Sequence, residues 1–147
     1  MITIENTQFG TVQVEEDKMI TMPSGIPGFP GKKRFVILER EDTQPFYLYQ
    51  CVDDPALSFV IMNPYLFKPD YSVNLKPVRK EMAWNRNGAE QIKVYVIVNT
   101  SGGGPNKMTA NLIGPLVINT GRREALQIVI PNSPYSHRHP VFQPSSR

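Results

Sequence analysis

The N-terminal part of the chain alternates between apolar and polar side chains. Ile2 and Ile4 share one face of an extended chain, and Val12 and Val14 repeat the same period after a turn at Gly10. A period of two residues is that of a β-strand with one buried face. The pattern therefore predicts a β-hairpin or meander at the start of the protein.

Short apolar runs continue along the rest of the chain, each bounded by proline, glycine or polar residues. They occupy residues 35–38, 46–51, 57–62, 92–98, 109–119 and 125–130. Their β-branched and aromatic content favours strands, and the run at 92–98, apolar apart from Lys93, is typical of a strand buried on both faces. About nine or ten short strands are expected in total.

One segment departs from the strand pattern. Val78 and Met82 share a helical face, Pro77 lies in the first turn, and Asn87 followed by glycine is a stop signal. One short helix is therefore predicted near residues 77–87. The 14 prolines of the sequence exclude a helical bundle, because proline breaks helix interiors.

These patterns predict an all-β, single-domain protein whose strands form an antiparallel, partly open β-barrel or sandwich. At 147 residues the chain fits one domain, which we place at residues 1–131. Prolines recur from Pro131 onward. Residues 132–147 are accordingly expected to form an extended, proline-containing C-terminal tail.

Composition indicates a cellular setting. The single cysteine, Cys51, cannot form an internal disulfide and suits a reducing compartment. The N-terminus lacks the basic and apolar regions of a signal peptide, and no apolar run approaches the ~18 residues of a membrane-spanning helix. We therefore expect a cytoplasmic protein that does not engage a membrane.

The formal net charge of +3 conceals an asymmetry between the two parts of the chain. Residues 1–60 hold five Lys/Arg against nine Asp/Glu, and residues 61–147 hold eleven against four. Such a division predicts two electrostatically different surfaces. It leaves open, as an alternative function, an RNA-binding β-barrel that uses the basic C-terminal half. The basic pairs are scattered and the net charge is modest, so we expect no direct binding of nucleic acid.

No group of residues has the pattern of a catalytic or metal site. Asp53 and Asp54 precede a proline, as in a turn, and His137 and His139 lack a third ligand nearby. Cys51 ends an apolar run without an obvious histidine partner. We therefore expect no catalytic residue, no bound metal, no cofactor and no enzymatic activity.

An exposed recognition surface is the better place to look for function. Residues 65–71 place four large apolar side chains beside Pro69. Aromatic side chains on a rigid loop provide contact area at low entropic cost. They either face a partner or fold inward and cap the barrel. The acidic run of Glu15, Glu16 and Asp17 is likewise either a solvated turn or a contact for a basic partner.

Several short motifs follow one another along the whole chain. They are Phe9 and Gly10 before an alternating strand, residues 22–29 (Met-Pro-Ser-Gly-Ile-Pro-Gly-Phe), residues 45–50 running into Asp53, Asp54 and Pro55, residues 59–71, residues 94–98, residues 109–119 with Gly114 and Pro115, and Gln127 in the final strand. Each motif alone is weak. In their order and spacing, from residue 1 to about 143, they resemble one family, the bacterial flagellar assembly factor FliW.

This resemblance implies a non-enzymatic, monomeric, β-barrel-like regulator. Members of the family bind flagellin and also CsrA, an RNA-binding translational repressor. When flagellin is exported, freed FliW captures CsrA, which releases flagellin mRNA for translation. The resemblance therefore implies flagellin and CsrA as partners, with partner switching as the mechanism.

Candidate partner-binding residues follow from combining the resemblance with the exposed motifs. They are Phe67, Lys68, Pro69, Asp70, Tyr71, Glu15, Glu16, Asp17 and Asn111. CsrA-type proteins carry basic RNA-contacting surface, so the acidic half of the chain is expected to face CsrA, with Glu15, Glu16, Asp17, Glu39, Glu41 and Asp42 as the contacts. Phe67, Pro69 and Tyr71 are expected to line an apolar groove for a flagellin helix, whereas Asn111 is expected rather to fix a turn.

Overall fold

The computed structural model describes residues 1–84, 91–102, 104, 107–131 and 133–142. The strands in these ranges are β1 (Ile2–Thr7), β2 (Gly10–Val14), β3 (Ile20–Thr21), β4 (Arg34–Leu38), β5 (Phe46–Cys51), β6 (Ser58–Met62), β7 (Ile92–Asn99), β8 (Thr109–Ala110), β9 (Leu116–Asn119), β10 (Glu124–Gln127) and β11 (His139–Pro140). One α-helix, α1 (Lys76–Met82), lies in the described part, with 3₁₀ turns at Glu16–Lys18, Glu41–Thr43 and Pro64–Leu66. The prediction of an all-β protein with one short helix is confirmed.

Seven strands close into a ring. Their order is β7-β6-β5-β4-β3-β10-β9, and β9 pairs again with the first half of β7. Adjacent strands alternate in direction, but a ring with an odd number of strands must contain one parallel pair. That pair is β3 with β10, where Thr21 lies opposite Glu124. The near-barrel arrangement is confirmed, and this single parallel pairing is a departure from the expected antiparallel order.

Alternate side chains from the ring fill the barrel interior, because successive residues of a strand point to opposite faces. The buried members of this cluster are Ile20, Met22, Ile26, Phe35, Tyr49, Cys51, Ile61, Leu116, Ile118 and Ala125. Phe35 and Tyr49 stack with their ring centroids 4.6 Å apart. Burial raises the pKa of the Cys51 thiol, so this residue is a neutral part of the core.

The outer face of the ring is covered as well. The hairpin of β1 and β2 packs on β4 and β5, and α1 packs on β9 and β10. Residues 64–73 and 133–142 cover β6 and β7. Strand β7 therefore places Val96 and Val98 against the outer layer and Ile97 in the interior, which accounts for the continuous apolar run at 94–98.

Helix α1 is shorter than predicted from the sequence. It ends at Met82, because Ala83 adopts the left-handed conformation (φ 56°) that terminates a helix. The expected stop signal at Asn87 lies outside the described residues. Trp84 then donates a hydrogen bond from Nε1 to Oε1 of Glu124, 2.9 Å away, so a tertiary contact holds the chain after the helix. Within the described ranges, no helix has the length and apolar character needed to cross a membrane.

The described residues after Pro131 are attached to the sheet. Strand β11 pairs with β8, Val141 is buried, and the ring of Tyr135 packs edge-on against Tyr71 at 4.8 Å. A domain boundary at residue 131 stays a prediction. Over residues 133–142 the segment nevertheless forms part of the outer layer over β7, which places it beside the loop that carries the aromatic motif.

Candidate partner-binding surfaces

The loop at residues 63–71, which we call the aromatic loop, is fixed at both ends. At its start, Oδ1 of Asn63 accepts a hydrogen bond from the backbone N–H of Tyr65 at 2.9 Å. At its end, the hydroxyl of Tyr71 donates to the backbone carbonyl of Leu112 at 2.7 Å. The loop between these points is therefore a preorganised surface, which lowers the entropic cost of binding.

The apolar side chains of the aromatic loop point in two directions. Tyr65 and Leu66 are 40% and 60% exposed, whereas Tyr71 is only 4% exposed. Phe67 is half-buried against the outer cluster of β6 and β7. Tyr71 folds inward, whereas Tyr65 and Leu66 face solvent, so a partner contact at these two residues stays a prediction. Tyr71 supports the loop from below and does not line its surface.

The charges of the aromatic loop neutralise each other. Nζ of Lys68 lies 2.9 Å from Oδ1 of Asp70, and the hydrogen bond to Lys68 holds the pKa of Asp70 below its usual value. Pro69 and Asp70 are exposed and Lys68 is half-buried. The loop therefore presents an apolar surface without net charge.

His139 is a packing residue beneath this loop. Its ring stacks on Phe67 with a centroid distance of 5.7 Å. Burial lowers the pKa of His139, nearby Lys68 lowers it further, and Asp70 acts in the opposite direction. His137 is exposed. In the part of the chain that the structure describes, no group of three or more His, Cys, Asp and Glu side chains is placed to hold a metal ion.

Replacing Tyr71 with phenylalanine is expected to lower the free energy of unfolding by about 1–2 kcal/mol, because the carbonyl of Leu112 loses a buried donor. Urea unfolding measures the difference. Tyr65→Phe is the matched control, since this tyrosine is partly exposed, and its effect should stay within about 0.5 kcal/mol. Equal losses in the two variants would contradict the supporting role of Tyr71.

Asn111 stabilises the turn that precedes β9. Its Oδ1 accepts hydrogen bonds from the backbone N–H groups of Ile113 and Gly114, at 3.1 and 3.0 Å. Gly114 is buried, and a side chain there would meet the Asn111 amide nitrogen at 2.9 Å. The geometry gives Asn111 a structural task near Leu112, the residue that anchors the aromatic loop.

The acidic segment, residues 15–17, lies on the surface next to the open end of the barrel. Glu15, Glu16 and Asp17 are all exposed, and the N-terminal amino group lies 3.6 Å from Glu16. The segment therefore offers carboxylates to solvent, as a contact for a basic partner requires.

The open end of the barrel, which we call the barrel mouth, is a cavity of about 530 Å³. Its wall includes the interior residues Ile20, Ile37, Tyr95 and Ile118, and its charged rim consists of Glu15, Lys18, Glu39, Lys93 and Arg123. A guanidinium N–H of Arg123 donates to the backbone carbonyl of Lys18, which places this cation on the rim. The acidic segment thus borders three cations, and a basic partner would meet a mixed surface there.

A second depression, of about 320 Å³, links the barrel mouth to the aromatic loop. It is lined by Asn63 and Tyr65 of the loop and by Lys93 and Tyr95 of β7, among others. Lys93 and Tyr95 therefore border both surfaces. The sequence did not identify Lys93 and Tyr95 as surface residues of a site. Its one indication was that Lys93 is a charged residue inside an otherwise apolar run.

A third depression lies between α1 and the strand that continues from β10. This α1 groove measures about 570 Å³, and its lining is mostly apolar. It is bordered by Asn74, Pro77, Val78, Glu81, Leu126, Gln127, Ile128, Val129, Ile130 and Pro131. The groove forms between segments that are distant in sequence, so no local pattern predicts it.

Comparison with known proteins gives matches over nearly the whole chain. A family model described as FliW protein matches residues 3–141. The flagellar assembly factor FliW of Syntrophomonas wolfei subsp. wolfei is 35% identical over 142 residues, covering 97% of this chain and 90% of that protein. The flagellar assembly factor FliW of Geobacter sulfurreducens is 36% identical over 146 residues, covering 99% and 90%. A crystal structure of the flagellar assembly factor FliW matches with a TM-score of 0.85 at 32% identity, covering 96% of this chain and 97% of that one.

Proposed function

Because this chain belongs to the FliW family of flagellar assembly factors, we propose that it acts in the cytoplasm by binding flagellin and the translational regulator CsrA in alternation. Bound to flagellin, it leaves CsrA free to repress flagellin mRNA. Released from flagellin, it captures CsrA and relieves the repression. This cycle requires two coupled protein interfaces and no catalytic residues.

The observation that carries the proposal is the shared border of two chemically different surfaces. Lys93 and Tyr95 line both the barrel mouth, beside the acidic segment, and the depression beside the aromatic loop. A protein-sized partner on either surface covers much more than one side chain. Two partners on adjacent surfaces would therefore compete for the same strand, which supports switching over simultaneous binding.

We assign CsrA to the acidic segment. An RNA-binding repressor carries basic surface, and Glu15, Glu16 and Asp17 present exposed carboxylates to it. Attraction between exposed charges raises the association rate and is screened by salt. The mixed rim of the barrel mouth favours one orientation of the bound partner, because Lys18 and Arg123 repel any basic group of the partner that approaches them instead of a carboxylate.

We assign flagellin to the aromatic loop. Tyr65 and Leu66 are its exposed apolar side chains, and their burial contributes about 25 cal/mol per Å² of apolar surface removed from water. Phe67, Lys68, Pro69 and Asp70 complete the contact surface. Tyr71 and Asn111 act from beneath by holding the loop and its anchor in place.

The assignment of CsrA is tested by replacing Glu15, Glu16 and Asp17 together with lysine. The affinity for CsrA, measured by isothermal titration calorimetry, should fall at least tenfold at 50 mM NaCl. The loss should shrink at 500 mM NaCl, because salt screens exposed charges. Flagellin affinity should stay within twofold.

A matched variant reverses Glu41 and Asp42, an exposed pair in a 3₁₀ turn that the sequence also suggested for CsrA but that lies outside the acidic segment. This variant should bind CsrA nearly as well as the natural protein. If the triple variant keeps its CsrA affinity at both salt concentrations, the acidic segment is not the interface. A comparable loss in the control would show a general charge effect.

Partner switching is tested with a CsrA–RNA complex in a mobility-shift assay. The protein should release RNA from CsrA, and added flagellin should restore the shifted band. A shift of RNA by this protein without CsrA would instead support the RNA-binding alternative. A stable complex of all three proteins would contradict competition at Lys93 and Tyr95.

A further inference from the structure

The strand that continues from β10 has one paired edge and one open edge. The backbone N–H of Ile128 donates to the carbonyl of Pro115 at 3.0 Å, and that of Ile130 donates to the carbonyl of Ile113 at 2.8 Å. In an extended chain paired in this way, the peptide groups of intervening residues face the opposite edge. The N–H and carbonyl groups of Gln127 and Val129 therefore point away from β9.

Strand β3 covers only the beginning of this opposite edge. Its pairing with β10 consists of Thr21 opposite Glu124. The N–H of the next residue, Met22, donates to the carbonyl of Lys33 at 2.7 Å, and its carbonyl accepts from the N–H of Gly25 at 2.9 Å, so neither peptide group of Met22 pairs with the strand that continues from β10. Among the described residues, the peptide groups of Val129 have no hydrogen-bond partner. Its side chain is also 70% exposed.

This open edge borders the α1 groove. Pro77, Val78 and Glu81 form the facing wall, and Gln127 and Val129 lie on the strand side. Unpaired strand edges are templates for another strand, and natural proteins usually cover or shorten them. An open edge beside an apolar groove is the arrangement used in β-strand addition: main-chain hydrogen bonds provide affinity, and alternate side chains enter the groove.

The charges around the groove select between the two proposed partners. Lys76 and Lys80 of α1 lie beside the groove but not in its lining, and Glu81 is the one charged side chain among the described residues that line it. The two lysines disfavour approach of the basic RNA-binding surface of CsrA, and the mostly apolar lining accepts a neutral segment. The groove also adjoins the flagellin surface, because Ile130 lines the groove and packs in the same cluster as Phe67 and Tyr71.

We propose that the α1 groove binds an extended, apolar segment of flagellin, which pairs as an added strand with the open edge at residues 127–129. The assignment of the occupant rests on the proposed function above. It adds a second contact beyond the aromatic loop and gives unassembled flagellin a strand conformation when bound. Apolar side chains at every second position of that segment enter the α1 groove, while its main chain bonds to Gln127 and Val129.

Amide hydrogen exchange, followed by NMR, tests the pairing in the natural protein. The N–H of Val129 should exchange fast in the free protein, because it donates to no group in the described part of the chain. Saturating flagellin should slow this exchange at least tenfold. The N–H of Ile128 and that of Ile130 are already bonded to the opposite segment, so their exchange should change much less.

A pair of substitutions at one position tests the role of the main chain. Val129→Pro removes an N–H that donates to no described group, so it deletes the donor offered to a partner strand. Val129→Thr keeps both the N–H and the branched side chain. We expect Val129→Pro to weaken flagellin binding at least tenfold and Val129→Thr to change it less than twofold. CsrA affinity should be the same for both variants.

Each outcome decides between the inference and the function on which it rests. Normal flagellin binding without slower exchange at Val129, or with full affinity in a folded Val129→Pro variant, would overturn strand addition and leave the proposed function intact. Failure of the natural protein to bind flagellin would overturn both. If Val129→Pro does not fold, the change in the exchange rate of the Val129 N–H on adding flagellin to the natural protein still tests strand addition.

Discussion

Replacing Phe35 with alanine is expected to lower the free energy of unfolding by about 3–5 kcal/mol. Phe35 is fully buried in the barrel interior and stacks on Tyr49 at a centroid distance of 4.6 Å, with an angle of 2° between the ring planes. The variant loses the transfer free energy of the ring and leaves a cavity. Since hydrogen-bonded strands surround the site, the walls cannot collapse far to fill that cavity. Guanidinium unfolding followed by circular dichroism measures the loss.

The matched control is Phe29→Ala. Phe29 is exposed and meets Phe59 only edge-on, at 6.5 Å between ring centroids. The expected loss is below about 1 kcal/mol. Small domains are stable by only about 5–15 kcal/mol in total, so Phe35→Ala should also weaken partner binding near the growth temperature by depleting the folded population. Similar losses in the two variants would contradict the assignment of Phe35 to the closed interior.

Replacing Trp84 with alanine is expected to cost a similar amount, about 3–5 kcal/mol. Trp84 is buried in the cluster that includes Val117 and Leu126, and its Nε1 donates to Oε1 of Glu124. This contact anchors the chain just after α1, whose Val78 belongs to the same cluster. Because α1 forms one wall of the α1 groove, flagellin affinity should fall more than CsrA affinity. Denaturant unfolding and calorimetry with each partner measure the two effects.

Trp84→Phe separates packing from hydrogen bonding at the same position. Phenylalanine keeps most of the apolar area but cannot donate to Glu124, so a smaller loss of about 1–2 kcal/mol is expected. The order of stability should be natural protein, then Trp84→Phe, then Trp84→Ala. If the two variants are equally unstable, packing of the indole is not the main contribution.

Periodicity along the chain was sufficient to predict most of the strands, although β11 lies in the segment that was expected to be an extended tail. The alternation at β1 and β2 and the apolar runs of β4, β5, β6 and β7 depend on local spacing alone, and each prediction is confirmed within a few residues. The end of the helix was predicted less well. Tertiary contacts of Trp84 and the left-handed conformation of Ala83 end it at Met82. A helix stop signal farther along the chain does not reveal such contacts.

For the candidate partner-binding surfaces as well, the sequence predicted one part and the tertiary structure decided another. The sequence identified residues 65–71 and the acidic segment as places for partners. It did not decide which aromatic side chains face outward. Tyr65 and Tyr71 are both tyrosines in the same loop, yet Tyr65 is exposed and Tyr71 is buried. The difference arises because the hydroxyl of Tyr71 reaches Leu112, which is distant in the sequence.

By itself the sequence determined the strands, the turns and the family, because these depend on residue types and spacing along one segment. Only the tertiary structure decided how the ring closes, which side chains line its mouth, and which strand edge stays open. A closed ring with an odd number of strands must contain a parallel pair, which here is β3 with β10, and β3 is too short to cover the edge at Gln127 and Val129. Surfaces of this kind form where distant segments meet, so their chemistry appears only after the chain has folded.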